Sequence, residues 1–162
     1  MSRFRPPVRA EGDGFIIDLD DDESALIGRL TGELRSLLTD PDPDAAAQGL
    51  LASLFPVVHP DDEEMEAEYQ RLMRDELVQS KLSTFDIVDE TLSGDGRLDE
   101  GRLLAVMQSI NSIRLVLGTM LGVSDDPDAD EVTPGNEDSA EYHLYSYMSW
   151  LLEWCVRALT GD

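Results

Sequence analysis

Ile110-Asn111-Ser112-Ile113-Arg114-Leu115-Val116-Leu117-Gly118-Thr119-Met120-Leu121 is the stretch on which the fold turns. Its apolar side chains fall on nearly every side of a helix rather than along one stripe. A helix that is apolar all round belongs inside a protein. Asp99 precedes it with a side chain suited to capping a helix N-terminus. The pattern therefore predicts a helix from Asp99 to Leu121 as the most buried element, around which everything else must pack.

Reading outward from it, a long helix comes immediately before. His59-Pro60-Asp61-Asp62 opens it and Ser93-Gly94-Asp95-Gly96 closes it, at about Leu92. Acidic residues crowd its first turns, where the helix dipole favours them. Its apolar stripe is read through Met65, Tyr69, Leu72, Met73, Leu77, Leu82, Phe85, Val88 and Leu92. Earlier still, Ala45 to Phe55 forms a short helix between Pro43-Asp44 and Pro56. Before it, Asp20 to Asp22 start a helix whose face is Leu26, Ile27, Leu30, Leu34, Leu37 and Leu38.

On the other side, residues 122–137 are acidic and carry Pro127, Pro134 and Gly135, which reads as a loop. A fifth helix, about Ser139 to Leu159, gathers Tyr142, Tyr145, Tyr147, Trp150 and Trp154. At the other end of the chain, Glu11-Gly12-Asp13-Gly14 is a turn between residues 3–9 and 14–19, a β-hairpin with Pro6-Pro7 keeping its first strand at an edge. The expectation is a mainly α single domain over residues 1–162: a five-helix bundle (20–160) with a small N-terminal β-hairpin (3–19) and an acidic loop (122–137).

Charge bounds the function. Asp and Glu number 35 against 12 Lys and Arg, a formal net of -23 in 162 residues. Phosphate backbones and anionic membrane surfaces are repelled by such a chain, whereas basic proteins and cations are attracted. Direct nucleic-acid binding is therefore not expected, although the first ten residues carry Arg3, Arg5 and Arg9 and no acid. A single cysteine, Cys155, fits a reducing compartment. The N-terminus has no apolar signal region, and no stretch approaches the roughly 20 apolar residues of a membrane span. A cytoplasmic location follows as the expectation.

No set of residues assembles into a catalytic or cofactor site. Asp126, Asp128, Asp130 and Glu137 take the four side-chain oxygen positions of a calcium loop, but Glu131 stands where that loop needs glycine. They are weak metal candidates against a solvated loop. The segment around Gly96 fails, because it puts Thr91 first and Arg102 twelfth. Zinc has only Cys155, His59 and His143 to choose from. His143 and Cys155 are about 18 Å apart along one helix, too far to share an ion or act as nucleophile and base. Cys155 lies on the stripe Leu144, Met148, Leu151, Cys155 and Leu159, which reads as core; a redox role would need an exposed thiol of lowered pKa. Arg114, inside the most apolar stretch, calls for a buried ion pair, with Asp75, Asp86 or Asp89 of the third helix as the expected partner.

Three segments together carry a resemblance: Tyr69-Gln70-Arg71-Leu72-Met73-Arg74-Asp75-Glu76-Leu77; Asn111 through Val123; and Tyr145 through Glu153 with Val156-Arg157-Ala158-Leu159. The chain resembles the actinobacterial domain-of-unknown-function family 2017, usually encoded beside the ClpS adaptor and a sulfur-carrier cysteine-synthesis cluster. What the resemblance implies is an oxidative-stress or transcription-regulatory role exercised on a partner protein, such as a stress sigma factor, through redox-active cysteines. This chain departs from that pattern, since Cys155 has no second cysteine with which to close an internal bridge.

The reading that follows is a non-enzymatic regulatory or adaptor protein, without cofactor, that contacts a sigma factor or another basic protein through its acidic surface. Two rivals stand beside it: a cation-binding protein using residues 126–137, and a small-ligand sensor with a pocket near Arg114 and the aromatic helix. The hairpin and the aromatic fifth helix also offer more apolar surface than a five-helix bundle needs, so a homodimer is expected.

Overall fold

The structure, a computed structural model, describes residues 4–122 and 139–161. Its elements run β1 (Val8–Glu11), β2 (Gly14–Ile17), α1 (Asp21–Thr39), α2 (Ala45–Leu54), α3 (Glu63–Ser93), β3 (Arg97–Leu98), α4 (Glu100–Leu121) and α5 (Ala140–Thr160). The mainly α architecture, five helices with a small N-terminal sheet, is as the sequence predicts.

Much of the acidity starts helices. Asp20, Asp44, Asp62 and Asp99 are the N-caps of α1 to α4, and each side chain accepts a backbone N–H of its helix's first turn. Each cap satisfies an otherwise orphaned donor and sets a negative charge against the positive end of the helix dipole. At Asp20 the cap is reciprocal: Glu23 N–H donates to Asp20, and the Asp20 N–H donates to Glu23. Ser139 serves α5 in the same way. Gly122 and Gly161 end α4 and α5 in the left-handed conformation.

α4 is the axis of the fold, in contact with all four other helices and with β2 and β3. Leu103, Val106, Ile110 and Ile113 are at most 2% exposed. The helix is not buried all round, however. Leu104, Gln108, Asn111, Leu115 and Thr119, spaced four or three residues apart, form an exposed stripe. By length and composition α4 is also apolar enough to cross a membrane, contrary to the expectation that no stretch would be; more than half of its most apolar window is covered by the fold.

The hairpin is shorter than expected and has a third strand. β1 pairs antiparallel with β2, Val8 opposite Ile17, and β2 pairs with β3, Phe15 opposite Leu98. Pro6 and Pro7 precede β1 rather than lying in it, and Pro7 contributes only its carbonyl, to Asp18 N–H. β3 is two residues long, too short to show a period in sequence. Gly96 makes it possible. Its φ is 78°, and an added Cβ would run into the Ile17 carbonyl. The same approach lets Ile17 N–H donate to Gly96 O at 2.9 Å. Val8, Ile17 and Leu98 then close the end of the core.

Candidate functional site

α3 differs from the other long helices in what it leaves uncovered. It has 31 residues and α4 has 22. At 1.5 Å per residue these are about 46 Å and about 33 Å long. The two run antiparallel from the short connection at residues 94–99, so α4 ends about where α3 has reached Leu72, and the first turns of α3 project beyond it. The buried residues of α3 are accordingly Phe85, Val88 and Thr91.

The stripe expected along the whole of α3 therefore does not hold. At 100° per residue, Met65 and Leu72 fall about 150° around the helix from Phe85, on the far side from the core. They are 52% and 62% exposed. Tyr69, half-buried, lies between them, and its ring meets His59 edge-on at 5.8 Å between centroids. The result is an outward ridge, Met65–Tyr69–Leu72, flanked by Glu64, Glu66, Glu68, Asp75 and Glu76.

The chain leading into the ridge is held against it. Asp62 accepts the Met65 N–H at 3.0 Å. Glu66 reaches back to accept the N–H groups of Val58 at 2.7 Å and His59 at 3.1 Å, and also the Gln70 amide at 3.2 Å. Desolvation opposes ionisation of Glu66, but the hydrogen bonds from His59, Val58 and Gln70, with the nearby His59, outweigh it and hold the carboxyl below its ordinary value. Val57 and Val58, 61% and 50% exposed, extend the apolar surface beside the ridge. At its inner end the Arg74 guanidinium lies 4.0 Å over the Phe55 ring, where α3 passes the end of α2.

The residues singled out from sequence lie elsewhere. Asp126, Asp128, Asp130 and Glu137 fall outside the described residues. Among the described residues, no group of three or more His, Cys, Asp or Glu is placed to hold a metal ion. Cys155 is fully buried beside Met148 and Leu151 in the core, and burial pushes its thiol up to about 12.

Arg114 does not take the ion pair expected of it. Asp86 and Asp89 belong to Arg35 of α1, at 2.9 and 2.7 Å. Arg114 is half-buried, forms no ion pair among the described residues, and lies over the Tyr145 ring at 5.5 Å. It stands on the α5 side of α4, whereas the two aspartates face α1. An aromatic face with partial access to solvent takes the place of a carboxylate. The molecule does hold an apolar cavity of about 350 Å³, walled by Leu30, Leu34, Leu50, Ile113, Leu117 and Leu144, but Arg114 does not line it.

The ridge on α3 was not legible as a site. The density of acid at residues 61–68 was visible, but which face of α3 turns inward is decided by the packing of Phe85, Val88 and Thr91, twenty or more residues beyond Met65. Comparison with curated proteins and with solved structures finds no match. A family model described as "Domain of unknown function (DUF2017)" matches residues 1–159. The chain thus belongs to the DUF2017 family.

Proposed function

We propose that the protein is a non-enzymatic regulatory or adaptor protein, and that the ridge of α3 is where it meets its partner. The observation that carries this reading is the exposure of Met65 and Leu72, 52% and 62%, within a field of carboxylates on a helix whose other end is anchored in the core. Exposed apolar residues ringed by charge are the composition of a docking surface: the apolar centre supplies affinity and the charges steer and select. The charge fits a basic partner. A sigma factor or other transcription component, in the oxidative-stress setting that the family resemblance implies, has the required chemistry. Under this reading the partner carries the redox chemistry, because a thiol buried and raised as Cys155 is has little thiolate to react.

The test is a pull-down of tagged protein from cells of the source organism at low and moderate salt, with partners identified by mass spectrometry. It is repeated with Met65→Ser/Leu72→Ser and with Glu64→Lys/Glu68→Lys. A basic partner lost with both variants, and recovered less well at moderate salt, supports the reading. Recovery of the same proteins by both variants sinks it.

A second reading, small-ligand sensing, draws on the apolar cavity between α1, α2, α4 and α5, which moves the pocket away from Arg114. An environment-sensitive naphthalenesulfonate dye that gains fluorescence with wild type and loses it with Leu34→Phe would favour this reading. Equal signals would remove it.

A further inference from the structure

Lys81 is the only lysine in the chain. It sits on α3 at the edge of a groove between α3 and α4 of about 190 Å³, lined by Leu77, Ser80 and Thr84 on one side and Gln108, Asn111, Ser112 and Leu115 on the other. Arg9, Arg35, Arg71, Arg97, Arg102 and Arg157 each pair with a carboxylate, whereas Arg5, Arg29, Arg74 and Arg114 form no ion pair among the described residues. Lys81 forms no ion pair among the described residues. Its ammonium donates to the Ser112 hydroxyl at 3.5 Å and lies 5.9 Å from the centre of the Phe55 ring. In a chain with 35 acids, no carboxylate lines this groove among the described residues.

We propose that the groove around Lys81 binds a single carboxylate group. A half-buried ammonium without a counter-charge is an electrostatic deficit that a bound anion would fill. Burial alone holds the Lys81 amine below its ordinary value, in line with a cation that lacks a charged partner. Other donors line the same groove. Ser80, Gln108 and Asn111 are exposed lining residues whose side chains make no protein hydrogen bond among the described residues. Thr84 contributes shape only, since its hydroxyl is spent on the Lys81 carbonyl at 2.7 Å. Leu77 and Leu115 would flank the apolar stem of the ligand. One cation matches a monoanion; a phosphate dianion would carry an uncompensated charge into a protein of net -23. The site lies on the inner half of α3 and does not depend on the partner ridge.

The single lysine makes the test clean. An amine-selective acylating reagent labels Lys81 and the chain's α-amine, and mass spectrometry reads the two apart. At constant pH and ionic strength, sodium acetate is expected to slow labelling of Lys81 but not of the α-amine, approaching about tenfold when acetate is ten times its Kd. Sodium chloride should not protect, and inorganic phosphate should protect less than acetate. Asn111→Asp, at an exposed position, places a resident carboxylate in the groove and should remove the acetate effect. A short apolar peptide with a free C-terminal carboxylate, set against the same peptide as its amide, tells a chain end from a free acid as the source. Equal labelling in acetate and chloride overturns the proposal. So does acetate protection that survives Asn111→Asp, or protection by the amide equal to that by the free peptide.

Discussion

α5 and the first half of α3 are both amphipathic and both begin with an acidic turn, yet they end in opposite environments. α5 lies along α4 and buries Met148, Leu151 and Cys155 completely. The first 22 residues of α3 bury none of theirs. Composition separates them in part, since α5 is rich in aromatic and aliphatic residues while α3 opens on Glu63, Glu64, Glu66 and Glu68; the extent of the neighbouring helix adds to the difference. α5 has α4 beside it, whereas α3 outruns α4 by about two and a half turns. An apolar side chain is core only when another element reaches it, and an uncovered one is available to a second protein.

The sharpest way to break this comparison is to truncate one leucine in each region. Leu151→Ala is expected to cost about 2–5 kcal/mol in urea unfolding, because it opens a cavity where nothing can collapse. Leu72→Ala should stay within about 0.5 kcal/mol of wild type. Equal losses would mean that the α3 ridge is covered.

Gly96→Ala comes next, at about 1–3 kcal/mol by the same measurement. It tests whether the sheet that caps the α4 end of the core depends on the one left-handed turn beside the Ile17 carbonyl. An unchanged midpoint would remove β3 from the account.

Third is the response of the α5 seam to alkali. Burial raises the Cys155 thiol from 9.0 to about 12, so the folded state resists forming the thiolate. That contribution is intact below pH 9 and is lost as pH rises towards 12. At pH 10 the expected loss relative to pH 8 is about 1.4 kcal/mol, and it should be absent from Cys155→Ala. Tyr147 is raised as well, by burial first and then by its 2.6 Å hydrogen bond to Glu23, and adds to the loss at higher pH. An alkaline slope identical in Cys155→Ala would place the thiol in water.

The smallest effect belongs to the overhang itself. Asp62→Ala removes the cap of α3 and should cost about 1 kcal/mol. Because the first turns of α3 are uncovered, the cost should appear as faster amide exchange at residues 63–72 and little change in global unfolding. A full loss in global stability would mean that these turns are part of the cooperative core.

Local chemistry explains which of these features could be read from the chain alone. The five helices, the four aspartate caps, the turn at Gly12 and the place of Cys155 among Leu144, Met148 and Leu151 depend on residues within a few positions of one another. They were legible for that reason. The central position of α4 was legible too, because a helix apolar on nearly every side has no other stable place. Its exposed stripe at Leu104, Gln108, Asn111, Leu115 and Thr119 was not, since the last three belong to the stretch that decided the fold and yet point to a side that no element fully covers.

Tertiary structure decided the rest, and the reason is the same in each case. Arg114 lacks a carboxylate because Asp86 and Asp89 face α1, where Arg35 reaches them first. β3 exists because Gly96 lets two residues approach a strand eighty positions away in the chain. Met65 and Leu72 are surface because Phe85, Val88 and Thr91 fix which face of α3 meets the core, and the two lie on the opposite face. Lys81 stands without a counter-ion because the α4 residues opposite it are amides and a serine. Sequence by itself determined what each segment would form and how it would begin and end, since those choices are made by backbone hydrogen bonds over one or two turns. Which faces are covered, and which charges meet, depends on helix lengths and crossing positions that appear only when the segments are packed together.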